Sequence, residues 1–269
     1  MISWKKYIVL FIFRKKRKIM IYYKTEEEIK IISEGGKKLR RIIEKLIKLV
    51  KPGITTLTIE KQARQLIQEE KAEVSFDKVE GYQFATCLPV NNQIVHTPPS
   101  ERVLKKGDLL TVDIGVYYQG FHTDCAETII VGEEGKEEIK RFLDTGKEAL
   151  KKAIEKIKVG GYLGEVSKAI ETTIKKNGYF VIKKLTGHGI GKDLHEDPFI
   201  FGFLDRPIEK TLKIKPGLVL AVEVIYSMGT EEMIFEKDSM WSIVTKDGSL
   251  SACFEKTVAV TKNGVLILT

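Results

Sequence analysis

The sequence predicts an α+β chain made of two related α/β halves, and three observations carry that expectation. Amphipathic segments with helical spacing alternate with short apolar runs of strand character. The order helix, glycine turn, helix, strand occurs twice: Lys51, Gly53, Ile59, Lys61 and Ile67 recur as Lys158, Gly160, Val166, Lys168 and Ile174. Between the copies, LLTVDIGVYY at 109–118 and the run 121–131 flank Gln119-Gly120, a hairpin signature.

Element by element, Thr25-Glu-Glu-Glu28 is a capping box that opens the first helix. Ile29, Ile32, Leu39, Ile42, Ile43, Leu46 and Leu49 give it one apolar stripe, interrupted near Gly35-Gly36, and Pro52-Gly53 ends it. A second helix is expected over 57–71, strands over 84–90 and 108–118, and helices over 136–157 and 164–177, with Gly178 as a stop. The remainder reads as strands at 179–184, 217–227, 230–236, 240–245 and 251–267. No stretch has linker composition, so residues 20–269 are expected to form a single domain.

Composition narrows the function classes. Hydrophobic residues make up 43% and charged residues 30%, ordinary for a globular protein. Cys87, Cys125 and Cys253 are odd in number and far apart, which favours a reducing compartment over a disulfide framework. The net charge of +8 sits almost wholly in residues 1–19, where Lys5, Lys6, Arg14, Lys15, Lys16, Arg17 and Lys18 meet no acid. The body is close to neutral, which argues against a specific nucleic-acid partner. Within that tail the apolar run YIVLFIF is far shorter than the roughly 20 residues of a membrane span, and no cleavage site follows it. Residues 1–19 therefore read as a disordered basic extension, or as sequence upstream of a start at Met20. A weak anchor to anionic lipid or ribosomal RNA is the alternative.

Two of the four histidines fall in TGHGIGKDLHEDP at 186–198. Three glycines around His188 disfavour a helix and suit a strand or loop whose backbone approaches something closely. A phosphate-binding loop fits poorly, because no helix pattern follows Gly191 and the Lys-Ser/Thr pair is missing. Taken alone, His188 reads as a metal ligand or as a hydrogen-bonded core histidine. Four acids add weight to the first reading. Asp113 in TVDIGV, Glu223 in LVLAVEVIY and Glu255 in SACFEKTVAV lie in apolar strands, and Asp124 in FHTDCAET lies on the partner strand of the expected hairpin. Buried carboxylates are costly unless paired or metal-bound. Four of them with one imidazole, and no CxxC, suit a hydrolytic pair of Mn²⁺, Fe²⁺, Co²⁺ or Zn²⁺ ions sharing a bridging hydroxide.

VNNQIVH at 90–96, TVDIG at 111–115, FHTDCAET at 121–128, TGHGIG at 186–191, AVEV at 221–224 and SACFEKT at 251–257 resemble, in order and spacing, type I methionine aminopeptidases. The resemblance spans residues 20–269. It implies the pita-bread fold, two pseudo-twofold-related α/β halves around a curved antiparallel sheet. It also implies removal of the initiator methionine from nascent chains whose second residue is small. By position, Asp113, Asp124, His188, Glu223 and Glu255 are expected to hold two divalent ions. Asp124 and Glu255 would bridge them, Asp113 would serve one ion, and His188 with Glu223 the other. Glu223 would double as general base, while His96 and His195 would bind substrate and stabilise the tetrahedral intermediate.

The same resemblance places Tyr82, Phe84, Cys87, His96, Leu194 and Trp241 at the methionine pocket, and leaves His122 with a structural role on the hairpin. The family's pattern usually has proline, glutamine and histidine where this chain has Val224, Cys253 and Lys256. It often has aromatic residues at Leu185 and Leu194, and HGIP where HTPP stands at 96–99. No ligand position is lost. The implied setting is a cytoplasmic monomer that meets nascent polypeptides, with transient ribosome contact, no specific nucleic acid and no membrane. Rival readings are a proline-directed aminopeptidase or dipeptidase of the same fold, and a non-catalytic, ribosome-associated binding protein.

Overall fold

A computed structural model describes residues 20–132 and 136–269; the basic extension 1–19 lies outside the described residues. The first helix, α1 (Glu26–Leu49), begins at the anticipated capping box: Thr25 Oγ1 accepts from Glu28 N–H, and Glu28 accepts in return from Thr25 N–H. Gly35 and Gly36 do not interrupt its buried face. Both are buried, and a Cβ on Gly36 would stand 2.4 Å from the Leu268 carbonyl oxygen, so Gly36 lets the helix press onto the C-terminal segment while Gly35 faces Tyr118 and Thr123. There follow α2 (Thr56–Glu69), β1 (Glu73–Val74), β2 (Thr86–Cys87) and β3 (Gln93–Val95). The hairpin is β4 (Leu109–Tyr118) with β5 (Phe121–Ile130), closed by Gln119 and Gly120 in left-handed conformations.

The second half repeats the first: α3 (Glu137–Glu155), α4 (Leu163–Lys176), β6 (Phe180–Val181), β7 (Thr186–Gly189) and β8 (Glu196–Phe201). Then come β9 (Val219–Ser227), β10 (Met233–Phe235), β11 (Ile243–Thr245), β12 (Ser251–Thr261) and β13 (Gly264–Ile267). The anticipated strand at 251–267 is thus two strands, folded back at Lys262-Asn263-Gly264, a turn hidden within an apolar run. The expected strand at 84–90 shrinks to Thr86–Cys87 and that at 179–184 to Phe180–Val181.

The repeat is visible in the backbone. Gly53 and Gly160 both adopt positive φ, 93° and 86°. Gly53 N–H donates to Leu104 O at 2.8 Å, as Gly160 N–H does to Ile214 O at 2.9 Å. Leu104 N–H bonds Ile54 O as Ile214 N–H bonds Gly161 O, both at 2.8 Å. The matched apolar residues Ile59, Ile67, Val166 and Ile174 are all buried.

The main sheet runs β1-β4-β5-β12-β9-β7-β8, and every pairing between its named strands is antiparallel. Helices α1 and α2 cover the β4–β5 side, and α3 and α4 the β9–β12 side, each pair over its own apolar core. Alternation along the strands then assigns the faces. Val112, Ile114 and Val116 of β4 pack under the first helix pair, and Val222, Val224 and Phe254 under the second. Asp113, Glu223 and Glu255, each one residue out of step, belong to the face without helices. A small sheet, β10-β11-β3, brings Val95 beside Ile243 and so carries His96 and Trp241 together from its ends.

Candidate metal centre

Two adjacent rungs of the sheet collect the acids. Asp113 pairs with Ala126, Ala126 with Glu255, and Glu255 with Glu223, so one rung carries three carboxylates and a small residue across four strands. On the next rung Asp124 faces Gly115, and His188 faces Ala221. The β5–β12 ladder ends at Cys125↔Lys256. There the Thr257 hydroxyl takes over, accepting from Asp124 N–H at 2.9 Å and donating to Asp124 O at 2.8 Å. Ala126 and Ala221 keep the rungs small beside the acids, while the space over Gly115, opposite Asp124, is filled by Ser75 and Phe76.

Asp124, His188 and Glu255, all buried, each offer an atom within 4.8 Å of the others. Glu223 Oε1 lies 3.4 Å from His188 Nε2. The Gly189 carbonyl, 2.9 Å from His188 Nδ1, can only accept, so Nδ1 carries the proton and Nε2 turns a lone pair toward the carboxylates. Asp113 stands outside the tight triad, yet its charge is felt at Glu255, and those of Asp124 and Glu223 at Asp113.

Electrostatics call for a cation. Burial first, then the neighbouring carboxylates, holds Asp113, Glu223 and Glu255 well above the carboxylate range, and burial pushes Asp124 up to about 7. Burial lowers His188 to about 4, keeping its imidazole neutral. Glu255 Oε1 is buried without a hydrogen-bond partner among the described residues. Such an oxygen is expensive unless an ion meets it. The oxygen-rich donor set with one imidazole fits a divalent ion of the Mn²⁺, Fe²⁺, Co²⁺ or Zn²⁺ class.

The other anticipated residues gather around this cluster. The His195 ring lies 4.5 Å from that of His188. His96, held in a left-handed backbone at φ 56°, is lowered to about 4 by burial and then by His188. Tyr82, Cys87 and Leu194 belong to one apolar cluster, against which Phe84 and Trp241 pack, with Tyr82 stacked edge-on to Trp241 at 4.8 Å. His122 bonds the Ser75 hydroxyl at 2.7 Å through its ring, and its N–H donates to Gly191 O at 2.7 Å. It therefore ties the hairpin to the loop that bears His195. Two charged features escaped the sequence reading: Glu60, buried on α2, and the buried Lys24–Glu196 ion pair beside His195. The i, i+4 spacing of Glu60 and Arg64 was the only available signal for the first.

The fold and the clustered acids are those of a metallopeptidase: residues 30–262 match the model of metallopeptidase family M24, and the chain belongs to that family. Within it, the chain is 38% identical over 250 residues to methionine aminopeptidase 1 of Bacillus subtilis (strain 168), covering 93% of this chain and 99% of that protein. It is 36% identical over 252 residues to the methionine aminopeptidase of Aquifex aeolicus (strain VF5), covering 91% and 97%. The crystal structure of methionine aminopeptidase from Thermotoga maritima superposes with a TM-score of 0.89 at 37% identity, over 93% of this chain and 99% of that one. Prolidase from Pyrococcus furiosus shares the fold, with a TM-score of 0.72 at 23% identity, but this chain covers only 65% of it. The architecture is thus the pita-bread fold anticipated from the motifs.

Proposed function

We propose that this chain is a metal-dependent aminopeptidase that removes the N-terminal methionine of polypeptides whose second residue is small. One observation carries the reading: Asp124, His188 and Glu255 converge in a chain 38% identical, over nearly its whole length, to a methionine aminopeptidase. Asp113, Asp124, His188, Glu223 and Glu255 hold two divalent ions in this proposal. All five would hold the metal, through carboxylate oxygens and through the His188 Nε2 that the Nδ1 bond to the Gly189 carbonyl leaves unprotonated. Bound there, the ions supply Lewis acidity and activate a water molecule at neutral pH.

The chain's own residues do the rest. Tyr82, Phe84, Cys87, Leu194 and Trp241 receive the apolar, polarizable methionine side chain. The unprotonated imidazoles of His96 and His195 hydrogen-bond the first peptide group and the oxygen that gains charge during attack. Glu223 accepts the proton of the attacking water and returns it to the departing amine, releasing methionine and the shortened chain. Nascent polypeptides are the substrates this chemistry implies, met by a monomer in the cytoplasm with transient ribosome contact. Among the described residues no helix is long and apolar enough to cross a membrane.

The test is a peptide panel with each of Mn²⁺, Fe²⁺, Co²⁺ and Zn²⁺. Cleavage of Met-Ala-Ser with Xaa-Pro peptides untouched supports the reading; the reverse preference assigns the site to proline-directed hydrolysis, and no cleavage with any metal assigns it to binding.

A further inference from the structure

Among the buried ionisable groups that the reaction does not use, Glu60 is the most fully engaged. It is 3% exposed, on the face of α2 that also buries Ile59 and Ala63. Its Oε1 accepts from Ala85 N–H at 2.8 Å and from Arg64 Nε at 2.7 Å. Its Oε2 accepts from Thr86 N–H at 3.0 Å and from the Thr86 hydroxyl at 2.7 Å. Arg64, one turn further on, also donates to Gln83 O at 2.5 Å. Apart from Arg64 itself, every partner lies in segment 82–87, whose regular structure is limited to Thr86–Cys87.

That short coil supplies Tyr82, Phe84 and Cys87 to the pocket, and it has little ladder of its own to fix their positions. Glu60 grips Ala85 and Thr86, and Thr86 is also the anchor for the Tyr82 hydroxyl. The Tyr82 hydroxyl donates to Thr86 O at 2.7 Å, the Cys87 thiol donates to Tyr82 Oη at 3.1 Å, and Cys87 pairs with Asp113 on β4. A carboxylate buried at this cost and met by four donors acts as a backbone clamp.

We propose that Glu60, with Arg64, is a positioning residue that fixes the wall of the side-chain pocket and so sets selectivity for the first residue of the substrate. This rests on the methionine-pocket reading above. Neither residue belongs to the proposed metal ligands or to the pocket lining, so the clamp acts on which side chain fits rather than on how water is activated.

The experiment compares kcat/KM for Met-Ala-Ser and Leu-Ala-Ser in wild type, E60Q and R64M, with bound metal measured in parallel. The ratio of the two substrates does not depend on the fraction of folded enzyme, so simple destabilisation leaves it unchanged. In E60Q an amide N–H₂ replaces one acceptor oxygen. The Met-to-Leu ratio should then fall about tenfold or more, carried mainly by KM for the methionine peptide, with metal content unchanged. R64M, altered at a half-exposed side chain and so safe for folding, should shift the ratio in the same direction by less. An unchanged ratio in R64M and in folded E60Q overturns the clamp. Wild type without preference for methionine overturns the pocket reading instead.

Discussion

Asp124 accepts a hydrogen bond from Cys125 N–H and still titrates near 7, because burial outweighs that one favourable contact. Burial and mutual repulsion also hold Asp113, Glu223 and Glu255 well above the carboxylate range, so the cluster holds protons that a divalent ion must displace. A carboxyl whose folded pKa exceeds its unfolded one binds more protons when folded, so stability falls as pH rises between the two values. The buried histidines, lowered toward 4, have the opposite effect, but only below their ordinary value of 6.5. Above about pH 6.5 the carboxyls act alone. The metal-free protein should therefore lose thermal stability as pH rises above about 6.5, and saturating Mn²⁺ should remove that slope in a scan of melting temperature. At fixed pH, Asp124→Ala or His188→Ala should abolish metal-dependent cleavage of Met-Ala-Ser. His195→Ala should bind metal normally and lose about 10²–10³ in kcat, as when a group that stabilises the developing oxyanion is removed.

At the level of elements, the sheet's alternation explains why the site was legible. In β4, β9 and β12 a single acid interrupts an apolar run; the run marks burial, and the period of two marks a face opposite the helices. Asp113, Glu223 and Glu255 stood out on that ground, Asp124 through its place on the hairpin partner strand, and His188 joined them through its glycines. Other features left no such mark. Glu60 sits in an amphipathic helix where a glutamate is ordinary, and only its tertiary partners set it apart. The segment 84–90 has strand composition, but Pro89 and the grip of α2 break it into the two-residue strand Thr86–Cys87 and a single bridge at Val90. Gly35-Gly36 looked like a break because the missing side chains are replaced by the Leu268 backbone at Gly36 and by Tyr118 and Thr123 of the hairpin at Gly35. Gly36→Ala should thus destabilise the protein by about 1–3 kcal/mol, as overpacked cores do, read as a lower midpoint in urea with metal-site stoichiometry retained.

The proposed ligand set draws on both halves of the molecule. Asp113 and Asp124 come from the hairpin of the first half, and His188, Glu223 and Glu255 from the second. Metal is therefore expected to join the halves, and chelation should lower the melting temperature. At a free metal concentration of 100 Kd the stabilisation is about 2.7 kcal/mol. The central claim is that this cluster is a hydrolytic metal site selective for an N-terminal methionine. The most direct measurement is mass-spectrometric detection of free methionine from Met-Ala-Ser, using chelated and metal-restored wild type beside Asp124→Ala. Release that vanishes on chelation, returns with added metal and never appears in Asp124→Ala is the outcome expected. Equal release by the chelated enzyme or by Asp124→Ala would contradict the account.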